Sequence, residues 1–213
     1  MKNTQIREIF RPELKDPVLV IGLPGIGNIG KIVSRLLIEF SRASLFAELY
    51  SPTFPDYVFI NNKGVCRPPK YEFFASTTGR NLVILTGDSQ PALEEIPAHY
   101  EVCSDVLDYA VKIGCRSVIT IAGAVSPQPT HEVYVAAISK KEAQKCVENG
   151  AVIYRGGKIV GAPGILLGLA EIRGLTGFCL LGSTSGFMVD REAALRVYKV
   201  LRRVLGTDVQ EGL

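Results

Sequence analysis

The sequence has no tryptophan, only two histidines and only five cysteines among its 213 residues. The cysteines lie far apart and form no CxxC pair: Cys66, Cys103, Cys115, Cys146 and Cys179. An odd number of widely spaced cysteines in a chain of this length favours reduced, mostly buried thiols over a disulfide framework. We therefore expect a cytoplasmic protein.

Histidine chemistry is restricted to His99 and His131, and neither lies in a recognisable catalytic motif. His131-Glu132 begins like a zinc-protease motif but lacks the second histidine four residues after the first. Residues 182–186 follow a predicted strand, as a hydrolase nucleophile would, but Thr184 occupies the middle position where that motif has serine. We expect neither a metal site nor a catalytic nucleophile at these positions.

The chain also lacks a large excess of charge and any long hydrophobic run. Its 24 Lys and Arg residues against 21 Asp and Glu give a net charge of +3, well short of a strongly basic nucleic-acid-binding domain. The longest apolar runs, such as residues 18–23, fall below the roughly 18 residues that cross a bilayer. Charged residues interrupt residues 1–15, where an export signal needs an unbroken apolar run. We expect a soluble protein without nucleic-acid or membrane partners.

The spacing of the hydrophobic residues, which make up 47% of the chain, indicates an α/β fold. Residues 17–22 form a continuous apolar run typical of a strand covered on both faces, and apolar positions in residues 29–40 recur at helical spacing. Residues 71–76 and 81–86 are predicted to pair as antiparallel strands, and Asp190 is predicted to cap a last amphipathic helix. Together these patterns predict a three-layer α/β/α domain with a mixed sheet.

We expect a single domain with a polar leader at residues 1–16, a core at residues 17–206 and a C-terminal tail at residues 207–213. Residues 51–70 are rich in proline and asparagine and predict an excursion from the main sheet. Residues 154–159 predict a hairpin around two adjacent glycines, because such turns need positive φ at both central positions.

A glycine loop lies between the first predicted core strand and the first helix. Residues 25–30, Gly-Ile-Gly-Asn-Ile-Gly, match the G-x-G-x-x-G pattern of dinucleotide-binding folds. In that interpretation the loop amides bind a pyrophosphate, and Glu48 on the next predicted strand accepts a ribose hydroxyl. Alternatively, the glycines only allow a sharp turn and close helix packing, and Pro24 favours this by removing one amide. The candidate ligand residues in the loop are Gly25, Gly27, Asn28 and Gly30.

A second polar loop, residues 87–91, follows another predicted strand and precedes a helix. It would therefore line a crevice at the carboxyl edge of the sheet, beside the glycine loop. Asp88 would offer a general base there, and Gln90 an amide to orient a ligand. Alternatively, Asp88 and Ser89 satisfy backbone amides of the loop.

Residues 22–31, Gly-Leu-Pro-Gly-Ile-Gly-Asn-Ile-Gly-Lys, resemble the opening motif of the proteasome assembly chaperone 2 family, in its archaeal and bacterial branch. Further segments are similar to later landmarks of that family, in the same order: Glu48-Leu49-Tyr50-Ser51, Phe54-Pro55-Asp56, Leu85-Thr86-Gly87-Asp88-Ser89-Gln90-Pro91, Gly161-Ala162-Pro163-Gly164 and residues 182–186. The resemblance extends from about residue 17 to about residue 206, whereas the dinucleotide pattern covers six residues.

The resemblance implies a phosphorylase/hydrolase-like fold, homo-oligomerisation and, as in some archaeal members, binding to proteasome α subunits. The sequence does not determine the size of the oligomer and leaves trimer, tetramer and pentamer open. Members that dock on the proteasome can end in a hydrophobic–Tyr–any residue tail. This sequence ends differently, in Val209-Gln210-Glu211-Gly212-Leu213. The leading hypothesis is a non-enzymatic, homo-oligomeric assembly-chaperone-like protein that needs no cofactor. The alternative is a nucleotide- or small-ligand-binding α/β protein, or an enzyme, that uses the glycine loop.

Overall fold

The computed structural model describes residues 1–92 and 94–207. Within them the strands are β1 (Gln5–Glu8), β2 (Val18–Ile21), β3 (Ser44–Tyr50), β4 (Phe59–Ile60), β5 (Cys66–Arg67), β6 (Tyr71–Ser76), β7 (Leu82–Gly87), β8 (Ser117–Val125), β9 (Val133–Ala137), β10 (Val152–Ile153) and β11 (Thr176–Thr184). The helices are α1 (Ile29–Phe40), α2 (Ile96–Lys112), α3 (Lys140–Glu148), α4 (Ala162–Ile172) and α5 (Arg191–Leu205), and a 3₁₀ turn (Ile26–Asn28) precedes α1.

The main sheet has the strand order β1-β3-β6-β7-β2-β8-β11-β9-β10. Its central strands β7, β2, β8 and β11 are parallel. Antiparallel pairs join β1 to β3, β3 to β6, β6 to β7, and β11 to β9. The predicted pairing of residues 71–76 with 81–86 is thereby confirmed. Strands β4 and β5 form a separate hairpin within the predicted excursion.

Helices cover both faces of the sheet. Apolar residues of α1, α3 and α5 pack on one face, and those of α2 and α4 pack on the other. Alternate residues of β2 supply the two cores: Leu19 belongs to the α2 side, Val20 belongs to the α1 side, and both are fully buried. The three-layer architecture with a mixed sheet is as predicted, because a strand buried on both faces must be apolar at consecutive positions.

The structure confirms the helix predicted from apolar spacing and the predicted helix cap. The apolar stripe predicted for residues 29–40 is α1, and its residues Val33 and Leu37 are fully buried. The carboxylate of Asp190 accepts a hydrogen bond from the Ala193 N–H at 2.9 Å and so caps α5. In the described part of the chain, no helix combines the length and the apolar character that a membrane span requires.

All five cysteines are free thiols. Cys66 is exposed on β5, whereas the other four are buried, which confirms the prediction of mostly buried thiols. Burial raises the pKa of the thiols of Cys103, Cys115, Cys146 and Cys179 to about 12. These four side chains therefore behave as small apolar residues of the core.

The predicted hairpin at residues 154–159 is wrong. Gly156 and Gly157 do have positive φ, at 76° and 105°. The preceding strand, β10, instead pairs parallel with β9, and the chain then leaves the sheet as an irregular segment. The polar leader also differs from expectation, because its residues 5–8 form β1 at the edge of the sheet. Both differences depend on pairing with strands that are distant in sequence.

Candidate functional site

A cavity of about 710 Å³ opens at the carboxyl edge of the central strands. Its walls come from the loops after β2 and β7, the end of β8, residue 181 of β11, the irregular segment after β10 and the start of α4. Helix α1 follows β2 to one face of the sheet, and α2 follows β7 to the other. Neighbouring parallel strands whose helices diverge in this way leave a crevice at their carboxyl ends, where α/β proteins bind ligands.

The glycine loop takes part in this site in two different ways. Gly25 lines the cavity, and a Cβ atom placed on it would have Gln90 Nε2, at 3.7 Å, as its nearest neighbour. Gly30 also borders the cavity, but its Cβ would lie 2.7 Å from the carbonyl oxygen of Leu23 and 3.0 Å from that of Ile121. The contact at Gly30 requires a glycine whether or not a ligand is present.

The other two candidate residues of the loop do not border the cavity. Gly27 has a φ of 61°, and its Cβ would approach Thr184 Oγ1 at 3.3 Å and the Asp190 side chain at 3.4 Å. Asn28 has a φ of 53° and begins α1 without a side-chain cap. These left-handed conformations form the sharp turn between β2 and α1. A Cβ on Gly27 would therefore meet Thr184 of β11 and Asp190, the cap of α5. A dinucleotide site would have open space for its ligand at this position.

Glu48 does not lie beside the glycine loop. Its strand, β3, is three positions from β2 in the sheet, a separation of about 14 Å at the usual strand spacing. Its carboxylate binds Lys70 Nζ at 2.5 Å and accepts a hydrogen bond from the Tyr50 hydroxyl at 3.0 Å. Burial alone would raise the pKa of Glu48, but these hydrogen bonds outweigh it and hold the pKa below its usual value. The expectation that Glu48 serves a ribose at the glycine loop is wrong.

Asp88 borders the cavity as predicted, but its carboxylate is fully engaged. Arg67 donates two hydrogen bonds to it, at 2.5 and 3.0 Å, and the Lys70 N–H donates a third at 3.1 Å. Burial alone would raise the pKa of Asp88, but these bonds lower it below its usual value. A carboxylate held ionised by three donors is a weak proton acceptor. The backbone N–H that Asp88 accepts belongs to Lys70, directly before β6, and not to an amide of the loop 87–91 as the alternative interpretation expected.

Gln90 joins two walls of the cavity. Its Nε2 donates to the carbonyl oxygen of Pro24 at 2.5 Å, and its Oε1 accepts from the Ala162 N–H at 3.2 Å. Both ends of the amide are therefore used to hold the loop after β2 against the start of α4. Gln90 shapes the cavity through these bonds, which use one N–H and one oxygen lone pair of its amide.

The histidines and Thr184 lie elsewhere. His99 is buried in α2, with its Nε2 3.2 Å from the carbonyl oxygen of Ala92, and His131 is exposed in a loop. Thr184 is fully buried, and its hydroxyl accepts the N–H of Gly186. Among residues 1–92 and 94–207, no group of three or more His, Cys, Asp and Glu side chains is placed to hold a metal ion.

The sequence did not indicate that the segment after β10 forms one wall of the cavity. Tyr154, Lys158, Ile159 and Val160 all border the cavity, although the sequence predicted a hairpin over residues 154–159. The pair of adjacent glycines marked the sharp change of direction, but no sequence signal indicates what such a segment packs against.

The PAC2 family model matches residues 19–212. This chain belongs to the PAC2 family. The resemblance to the proteasome assembly chaperone family, stated from the glycine loop and the later landmarks, is confirmed.

Two PAC2 structures from Pyrococcus furiosus resemble this chain over nearly its whole length. PbaB, an archaeal proteasome activator, is 36% identical, with a TM-score of 0.92, and the match covers 99% of this chain and 92% of PbaB. PbaA, an archaeal homolog of proteasome-assembly chaperone, is 27% identical, with a TM-score of 0.81 and coverage of 98% and 84%. The uncharacterized protein MJ1210 of Methanocaldococcus jannaschii is 31% identical over 187 residues, 86% of this chain and 72% of MJ1210.

Proposed function

We propose that this PAC2 protein is a non-enzymatic, self-associating factor that binds proteasome α subunits. The observation that carries the proposal is the likeness to the proteasome activator PbaB, at 36% identity and a TM-score of 0.92 over 99% of the chain. The homolog of proteasome-assembly chaperone, PbaA, supports it at 27% identity. An activator acts on the proteasome only by contacting it, so a related surface is expected here.

The chemistry of the cavity supports a binding role over a catalytic one. The carboxylate of Asp88 is held by Arg67 and by a backbone N–H, and the amide of Gln90 is occupied at both ends. General base catalysis needs a proton acceptor that is free to approach its substrate. The polar groups that the sequence offered for catalysis are instead used to hold loops together.

Self-association is supported by an exposed apolar patch, defined here as Phe187, Met188 and Val189 in the loop between β11 and α5. Their exposed fractions are 93%, 79% and 59%. Three consecutive apolar side chains in water are unfavourable, and contiguous patches of this kind mark interaction sites. Closed assemblies of identical chains bury such patches by symmetric contacts. We assign the patch to contact with a second copy of the chain.

Gel filtration with light scattering tests the proposal directly. The purified protein is mixed with archaeal proteasome α subunits at low and at moderate salt, and each component is also run alone. We expect the protein alone to elute at a multiple of its monomer mass and the mixture to form a heavier complex. Elution of the two components at their separate positions under both conditions would contradict α-subunit binding.

A second measurement separates activation from assembly. Peptide hydrolysis by assembled archaeal core particles is followed with and without the protein. An increased rate indicates an activator, as PbaB is, whereas faster appearance of core particles from free subunits indicates a chaperone. The tail, residues 209–213, lies outside the described residues. A variant that ends at residue 207 tests whether binding requires it.

A further inference from the structure

The cavity at the carboxyl edge of the sheet is a candidate site whose role does not depend on proteasome binding. Its volume of about 710 Å³ lies within the range of pockets that hold small organic molecules. Its walls are mainly aliphatic and come from separate elements, including Leu23, Ile121, Ile159 and Leu181. Such walls favour a ligand with an aliphatic body, because each CH₂ group removed from water contributes about 0.8 kcal/mol.

Among residues 1–92 and 94–207, the charged side chains that border the cavity include one cation without a partner. Lys158 is exposed on the wall after β10, and it has neither an ion pair nor a hydrogen bond among the described residues. Asp88 also borders the cavity, but Arg67 neutralises its charge. The side chain of Gln90 is uncharged and makes one hydrogen bond to Pro24 and one to Ala162. A ligand therefore meets a net positive charge at the rim.

The rim also exposes apolar side chains. Ile26, Val125 and Val160 border the cavity with exposed fractions of 41%, 62% and 72%. Apolar groups from three separate elements around an apolar cavity indicate that an apolar body covers them when the site is filled. Tyr154 is the aromatic residue of the lining, so a nucleobase would lack the pair of flat surfaces between which bases are commonly stacked.

We propose that the cavity binds an amphipathic organic anion. Its aliphatic body packs against the walls formed by the loop after β2, the end of β8 and the segment after β10, and its carboxylate pairs with Lys158. The glycine at position 25 leaves room for the body of the ligand, because a Cβ there would meet no atom closer than 3.7 Å.

Isothermal titration with decanoate, decylamine and ATP tests the proposal on the full chain. Decanoate and decylamine carry chains of the same length and opposite charges, so their comparison isolates the head group. We expect decanoate to bind at least tenfold more tightly than decylamine, and ATP to bind more weakly than decanoate. Equal affinity for the two amphiphiles, no binding of decanoate, or tighter binding of ATP would overturn the proposal.

Two variants test whether decanoate binds in this cavity. Lys158→Glu is expected to weaken decanoate at least tenfold and to strengthen decylamine, whereas the exposed lysine variant Lys63→Glu leaves both unchanged. Gly25→Val narrows the cavity beside Gln90 and is expected to weaken decanoate binding at least tenfold, whereas Gly168→Ala, at an open position of α4, does not. Circular dichroism checks that each variant is folded. Unchanged decanoate affinity in a folded Lys158→Glu or Gly25→Val protein would place binding elsewhere and overturn the assignment.

Discussion

Gly30 and Leu23 lie so close together that a Cβ atom on Gly30 would be 2.7 Å from the carbonyl oxygen of Leu23. This contact joins the first turn of α1 to the loop after β2, and the carbonyl oxygen of Ile121 closes the other side at 3.0 Å. The neighbours are backbone atoms, so they cannot rotate away as a side chain would. The last glycine of the G-x-G-x-x-G pattern is therefore required by packing.

Gly30→Ala is expected to destabilise the protein by about 1–3 kcal/mol, because the added methyl group overpacks the junction of helix and sheet. Helix propensity alone predicts the opposite sign, since alanine is favoured over glycine inside a helix by about 1 kcal/mol. The matched control is Gly168→Ala in α4, where a Cβ meets no atom within 4 Å and propensity should act alone. Urea unfolding measures both. Equal effects in the two helices would contradict the packing role.

Gln90→Leu is expected to lower the free energy of unfolding by about 1–3 kcal/mol, because it leaves two partly buried polar groups without partners. These are the carbonyl oxygen of Pro24 and the N–H of Ala162. The control is Gln128→Leu, at an exposed glutamine in the loop after β8, which should have little effect. If both variants unfold at the same urea concentration, the bridge made by Gln90 contributes nothing to stability.

Lys70→Met is expected to destabilise the protein at neutral pH by about 3 kcal/mol, because it leaves the buried carboxylate of Glu48 without its cation. Lys70 binds Glu48 at 2.5 Å and Glu72 at 2.8 Å, and the side chains of Lys70 and Glu48 are each 11% exposed. Thermal unfolding followed from neutral to acid pH measures the effect.

The effect of Lys70→Met should depend on pH with a defined sign. The pKa of Glu48 is lowered in the folded protein, so its stabilising effect is present above the usual carboxyl range and is lost as the pH falls through the lowered pKa. The raised pKa of Lys70 contributes stability that is fully present at acid and neutral pH and is lost only as the pH rises through that pKa. The difference between wild type and Lys70→Met should therefore shrink below about pH 4. A difference that stays constant from pH 7 to acid would contradict this pairing.

The double variant Phe187→Ser/Met188→Ser is expected to reduce the mass of the assembled particle, because it removes the most exposed side chains of the apolar patch. Light scattering at fixed protein concentration measures the mass, and the reduction should be similar at low and moderate salt, since apolar contacts are not screened. Ile172→Ser, at a side chain that is 81% exposed at the end of α4, is the control. Equal losses in the two variants, or none in the double variant, would place the interface elsewhere.

The local elements were predictable because their signals lie within one short segment. The helical spacing of residues 29–40 gave α1, the continuous apolar run gave β2, and the Asp190 cap was placed correctly. Each of these follows from burial or hydrogen bonding that the segment itself requires. The same holds for the positive φ of Gly156 and Gly157.

Contacts between distant segments were not predictable in the same way. Arg67, in the excursion, reaches Asp88 and removes the free base that the sequence suggested. Glu48 lies in a correctly predicted strand, but the strand order separates it from the glycine loop. The segment after β10 forms a wall of the cavity where the sequence predicted a hairpin.

The sequence by itself determined the three-layer α/β/α class, the family, and the position of the sharp turn between β2 and α1. Periodicity and glycine placement encode the class and the turn, because each residue must suit its own backbone conformation and degree of burial, whereas the family followed from the resemblance of the motifs. Only the tertiary structure decided which side chains neutralise one another and which segments enclose the cavity. Those outcomes depend on strand order and loop packing, which bring together residues such as Gln90 and Ala162 from far apart in the chain.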